Sequence, residues 1–225
     1  MELNLKLGNA ELSVSNREPI YKIGYWSAIA AFLAASGYGF VQILQVLGVV
    51  ESPLADILIY GTSLCISIPY LVAILALHYT APATKRFWSH GSLVFAIMYC
   101  TYVILMYVVQ LGAVIPYKIT DPVLTVTPHS LFWILDALGY ICLGFSTFFA
   151  VPIFSKFGNE RLTRNFLLAN SLMTPVITFV YFYKGFSIAI LMLGLPWIVT
   201  APGAMLMLGL HFKHQENSNI ELTAV

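Results

Sequence analysis

Charge is what this chain has least of. Only 9% of its 225 residues are Asp, Glu, Lys or Arg, while 59% are hydrophobic and the mean hydropathy is +0.83. A soluble domain needs about 25% charged residues to cover its surface, so most of this surface must face lipid. The formal net charge of +1 offers no electrostatic footprint for nucleic acid. Cysteine is scarce as well. Cys65, Cys100 and Cys142 all fall within apolar runs and form no CxxC pair, so the pattern suits small packing residues better than disulfide or metal chemistry. There is no Asn-x-Ser/Thr sequon, which is compatible with a bacterial origin, no glycine after Met1 for myristoylation and no CaaX ending. Residues 1–20 carry Glu2, Glu11 and Glu18 and have no apolar core of a signal peptide.

Enzyme signatures are equally thin. No HExxH motif occurs, and Asp136 is the one aspartate deep within an apolar run. Gly144-Phe145-Ser146 shares two letters with the serine motif of rhomboid-type proteases, but Thr147 stands where the next glycine belongs. His78, His90, His211 and His214 gather at span ends and His129 at an opposite edge, where they suit interfacial anchoring beside Trp88 and Lys85. His211 and His214 are spaced to share a metal, but no third ligand is evident. No cofactor or metal is expected, and an enzyme is the less favoured class.

What is present is six long apolar stretches: Lys22–Gly48, Leu54–Leu77, Ser89–Val114, Ser130–Phe154, Phe166–Tyr183 and Phe186–His211. Each can cross a hydrocarbon core of ~30 Å as a helix. Unbroken apolar runs exclude barrel strands, which alternate polar with apolar. The fold class is therefore all-α: a polytopic transmembrane bundle of six spans. The corresponding division is a tail over residues 1–21, a membrane domain over 22–214 and a second tail over 215–225. Met1–Leu7 alternates apolar and polar residues as a short strand would, but it has nothing evident to pair with, so a tail is expected.

Lys and Arg then set the orientation. Lys6, Arg17, Lys22, Lys85, Arg86, Lys156, Arg161, Arg164 and Lys213 fall on one side of the spans, and Lys118 and Lys184 on the other. The positive-inside bias places both termini in the cytoplasm, and the expected location is a cell membrane, with a bacterial inner membrane as the expected type.

Helical periodicity assigns inner faces. On the first span Ala31, Ala34, Ala35, Tyr38, Gln42 and Gln45 share about a third of the circumference. Ala31, Ala35 and Gly39, four apart, allow close helix approach. The third span aligns Tyr99, Tyr102, Met106 and Gln110. The fourth aligns Asp136, Gly139, Tyr140, Leu143, Thr147 and Ala150, and the fifth Asn170, Thr174, Ile177 and Tyr181, with Lys184 just beyond. Pro196 and Pro202 make the sixth span the best candidate for a broken helix, although kinked helices that merely pack are commoner. Ala34–Tyr38 and Asp136–Tyr140 resemble each other slightly, as an inverted repeat of two three-helix halves would require. The loop Gly112–His129, with Pro116, Pro122 and Pro128, reads as a solvated connector rather than a cap.

Asp136 is the most informative residue. A charged aspartate inside the membrane costs on the order of 2.5–3.5 kcal/mol on insertion scales, so it should face protein or a water-filled cavity. Gln42, Gln45, Gln110, Tyr140, Tyr181 and Lys184 belong to the same external half. Together they form a candidate polar pocket with Asp136 as its anionic element. The expectation is a transporter-like or solute-binding protein taking a small polar or cationic solute. Two rival readings are a partner or assembly subunit, which would bind membrane helices or a second copy, and an intramembrane enzyme acting on lipid. Interhelical glue is the plain alternative for Asp136 itself.

Overall fold

The computed structural model describes residues 18–185 and 187–223; the Met1–Leu7 segment and the basic residues Lys6 and Arg17 lie outside them. Six helices are long and apolar enough to cross a membrane, and no strand occurs among the described residues. We number the α-helices α1 (Glu18–Val46), α2 (Leu54–Thr80), α3 (Arg86–Val109), α4 (Leu131–Ala150), α5 (Arg161–Phe182), α6 (Ile188–Leu191) and α7 (Trp197–Thr223). Helices α6 and α7 together form the last span. Each long helix packs on the next long helix in sequence, and α7 packs on both α5 and α1, so the long helices close into a ring. We term the end bearing Glu18 and Ala83 basal, and the end bearing Val46 and Leu131 apical.

Local chemistry explains the helix ends. Gly48 follows α1 with φ +69°, and the Val49 N–H donates back to the Leu44 carbonyl at 2.9 Å. Only glycine enters that left-handed region without steric cost, so α1 stops there. The Ser130 hydroxyl accepts from the Trp133 N–H at 3.2 Å and caps α4; Ser187 caps α6 through the Ile190 N–H at 3.3 Å. The last span is broken rather than merely kinked. Pro196 has no N–H to donate, and it separates the 3₁₀ turn Met192–Gly194 from the start of α7. Pro202 sits within α7, which continues.

Several boundaries shift by a few residues from those expected, and two matter most for the basal end. α5 starts at Arg161 rather than Phe166, and the last helix runs to Thr223 rather than ending at His211. Hydropathy registers only the part of a helix that matches lipid. Beyond it, Glu216 holds the extension: the Lys213 Nζ donates to it at 2.8 Å, and Lys22 of α1 lies 4.0 Å away.

The small-residue faces are buried as expected. Ala31 and Ala35 are fully enclosed, while Ile23, Leu33 and Phe40 of the same helix are more than half exposed, as a lipid face would be. A Cβ on Gly39 would lie 2.5 Å from Ile198 Cγ2, and one on Gly24 would lie 2.8 Å from the Phe212 ring. α1 and α7 thus approach through absent side chains. The α4 face Asp136, Gly139, Tyr140, Leu143, Thr147 and Ala150 is buried throughout, and α4 is the most enclosed span. Of the cysteines, Cys100 and Cys142 are buried, but Cys65 is exposed on α2 rather than packed.

Candidate functional site

Two features share the apical half. The first is a tyrosine network around Asp136. The Tyr107 hydroxyl of α3 donates to Asp136 Oδ1 at 2.8 Å, and the Tyr181 hydroxyl of α5 donates to Oδ2 at 2.6 Å. Tyr60 of α2 stacks on Tyr107 with ring centroids 5.3 Å apart. Trp133 packs on Tyr181 at 4.6 Å and donates its indole N–H to the Tyr181 carbonyl at 3.0 Å. Asp136 therefore joins three helices, with both carboxylate oxygens engaged by protein donors.

A second pair lies beside it. The Tyr140 hydroxyl donates to the Tyr38 hydroxyl at 2.9 Å, and Trp197 meets both rings edge-on at 5.1 and 5.3 Å. The short matched sequences of the first and fourth spans thus meet through their terminal tyrosines.

The second feature is a cavity of about 340 Å³ whose floor is this Tyr38–Tyr140–Trp197 group together with Tyr181. Its walls are apolar: Ile43 and Val46 from α1 with Leu47 just beyond it, Ile177 and Val180 from α5, and Leu191, Met192, Leu195 and Ile198 around the break in the last span. Gln42 adds an amide beside Tyr38. The lining residues Val46, Leu47 and Met192 are 46%, 68% and 40% exposed, so the cavity opens at the apical edge between α1 and the break. The break itself creates this space, because a continuous last helix would bring regular side chains against α1. The size falls within the range of small-molecule sites, about 300–1,000 Å³. No protein-family model, curated protein or solved structure matches this chain. The site must therefore be read from its own chemistry.

The seven residues singled out from sequence part company here. Gln42, Tyr140 and Tyr181 line the cavity. Asp136 does not; it stands behind Tyr181 and orients that ring. Gln45 is half-buried outside the lining. Gln110 is buried and turns to the apical loop, where its amide donates to the Leu124 carbonyl at 2.6 Å. Lys184 is exposed beyond the end of α5 and forms no ion pair with Asp136. The loop Gly112–His129 is mostly exposed, as a solvated connector would be, but part of it is anchored. Leu124 and Val126 pack against the core, and Gln110 begins a wide helical turn, Gln110–Val114, that ties the loop down.

Sequence reasoning missed Trp197 and the apolar wall of α1 and α5. The signal was available: Trp197 follows Pro196 directly, at the predicted break. Elsewhere the polar groups are structural. The Ser146 hydroxyl accepts from Tyr70 at 2.8 Å and donates to the Ser92 carbonyl at 2.8 Å, which ties α2, α3 and α4 together. Asn170 donates to Thr147 at 3.1 Å between α5 and α4. Among the described residues no group of three or more His, Cys, Asp or Glu side chains could hold a metal.

Proposed function

We propose that this integral membrane bundle binds a small, largely apolar molecule bearing one hydrogen-bond acceptor, taken up laterally from the bilayer into the apical cavity. The observation that carries this reading is the cavity's composition: aliphatic walls over a floor of Tyr38, Tyr140, Gln42 and Trp197. Because Tyr140 donates to Tyr38, the Tyr38 hydroxyl keeps its own proton for a ligand carbonyl, ether or hydroxyl oxygen. The polar or cationic solute expected from Asp136 suits these walls poorly, since desolvating a charge against aliphatic side chains costs several kcal/mol. Asp136 then acts as a positioning group for Tyr181. Transport, if coupled to binding, would use the proline-broken last span as its moving part.

Benzophenone is a suitable probe, since it has one carbonyl acceptor on an apolar body and crosslinks to neighbouring C–H bonds under light. Crosslinks are expected to concentrate on Ile43, Ile177, Met192 and Leu195. Tyr38→Phe should weaken saturable labelling about fivefold, the effect of a hydrogen bond worth ~1 kcal/mol. Labelling spread equally over Ile23 and Leu33 on the lipid face would refute a cavity ligand.

A partner-subunit role is the second reading. It draws on Asp136, whose bonding is satisfied inside the bundle, and on Gly61 and Cys65, four apart toward the outside of α2. It predicts no saturable labelling, and Gly61→Leu would break an association with another membrane protein.

The same proposal places the apical end outside the cytoplasm. Lys22, Lys85, Arg86, Arg161, Arg164 and Lys213 all lie toward the basal end of the ring, which supports the positive-inside reading. A cysteine at Lys118 should then react with an impermeant thiol reagent in intact cells, and one at Lys213 should not. The reverse pattern would invert the orientation.

A further inference from the structure

The basal end carries a second hollow, unrelated to the apical cavity. A groove of about 570 Å³ runs between α2, α3 and α4, with Arg86, His78 and His90 at its mouth and Phe87, Phe95 and Phe149 along its length. Phe95 stacks on Phe149 at 5.5 Å and on Phe145, one turn deeper, at 5.1 Å, so the aromatic wall extends from the membrane edge toward its interior. Gly91 makes this possible: a Cβ there would lie 2.4 Å from the Phe149 ring.

The charge around the ring is divided. On the α1, α5 and α7 side the acidic residues are engaged: Glu18 is 3.7 Å from Lys22, Glu160 is 3.9 Å from His211, and Glu216 bonds Lys213. On the groove side no carboxylate lines the wall, and Arg86 has no ion-pair partner among the described residues. His78 and His90 lie ring to ring at 5.5 Å. His78 Nδ1 is 3.0 Å from the Ser89 hydroxyl, whose own proton goes to the Arg86 carbonyl at 3.1 Å, so His78 donates inward to Ser89 and the outward-facing groups are Arg86 and His90.

The geometry points to a site for an anionic phospholipid, with its phosphate at Arg86 and His90 and one acyl chain along the Phe87–Phe149–Phe95 wall. Charge complementarity selects the headgroup, and the apolar depth of the groove selects a lipid over a soluble anion. A guanidinium and an imidazole at the interface, above an aromatic channel, match the two-part chemistry of such a molecule. A zwitterionic lipid would bring its own cation against Arg86 and lose that advantage.

Native mass spectrometry of the full chain released from nanodiscs of equimolar phosphatidylglycerol and phosphatidylcholine tests this. One phosphatidylglycerol per chain should be retained in preference. Arg86→Gln should lower that preference about fivefold, as expected for one basic residue at a membrane surface, while Lys213→Gln leaves it unchanged. Phe149→Ala should loosen both lipids alike. If Arg86→Gln does not fold, His90→Gln at an exposed position supplies the same comparison. Equal retention of the two lipids by the unaltered chain would overturn the site. So would an unaltered preference in a folded Arg86→Gln or His90→Gln variant, or unchanged retention in Phe149→Ala. Displacement of the lipid by soluble glycerol phosphate at equal concentration would also overturn it, by assigning the groove to a free phosphate ester.

Discussion

Asp136→Ala is expected to destabilise the bundle by about 2–4 kcal/mol, measured as unfolding free energy in mixed micelles. Hydrogen bonds between neutral groups in membrane bundles average only ~0.6 kcal/mol, which alone would predict a small effect. The charge on the acceptor changes the weighting, since bonds to ionised groups contribute about 1.5–3 kcal/mol each. Here two tyrosine hydroxyls, on α3 and α5, donate to one buried carboxylate at 2.8 and 2.6 Å. Both rings are held in place, Tyr107 by Tyr60 and Tyr181 by Trp133, so neither hydroxyl can turn to a new acceptor without repacking. Asp136→Asn should cost less, about 1 kcal/mol, because one hydroxyl can accept from the amide nitrogen instead of donating. Benzophenone labelling should stay within about threefold in that variant, since the shape behind Tyr181 is kept and a shift of under 0.7 kcal/mol corresponds to that factor. Abolished labelling in a fully folded Asp136→Asn protein would instead make the carboxylate a direct ligand group.

The second large effect concerns the seam of α1. Ala35→Leu should lower stability by about 1–3 kcal/mol, the usual cost of overpacking a filled interior. Ala35 has no exposed surface, and one turn further Gly39 already meets Ile198 with no room for a methyl group. The added carbons must push α1 away from its neighbours or force strained rotamers. Leu33→Ala, two residues away on the face that is 62% exposed, should change stability by less than about 0.5 kcal/mol. A melting temperature and oligomeric state unchanged by Ala35→Leu would show that the seam is not filled.

Much of the bundle was legible because lipid constrains a chain so strongly. A backbone in hydrocarbon must satisfy its own hydrogen bonds, so a run of twenty apolar residues has one outcome. The phase of each helix was legible for a related reason. Ala31, Ala35 and Tyr38 on α1, and Asp136, Tyr140 and Thr147 on α4, are too small or too polar for a lipid face. Their burial follows from period alone.

The candidate site was legible only in part. Placing Gln42, Gln110, Asp136 and Lys184 in one half of the membrane requires only counting along helices. Deciding which of them meet requires the angles between helices and the path of the loops. Gln110 faced inward as expected, yet its partner is the Leu124 carbonyl, fourteen residues on, because the apical loop folds back over the bundle. Lys184 lies past the last turn of α5, where no helical period governs its direction.

Six spans, an inward-facing aspartate, prolines that bend the last span and a basic end could all be read from residue order alone. Each depends on the transfer energy of individual residues or on the missing N–H of proline, and these act locally. That the last span breaks at Pro196, that Asp136 is held by Tyr107 and Tyr181, and that the open space forms beside it under aliphatic walls emerge only in the folded bundle. Those outcomes depend on how α3, α4 and α5 converge and how the break at Pro196 stands off from α1, and such distances arise from the packing of whole helices against one another.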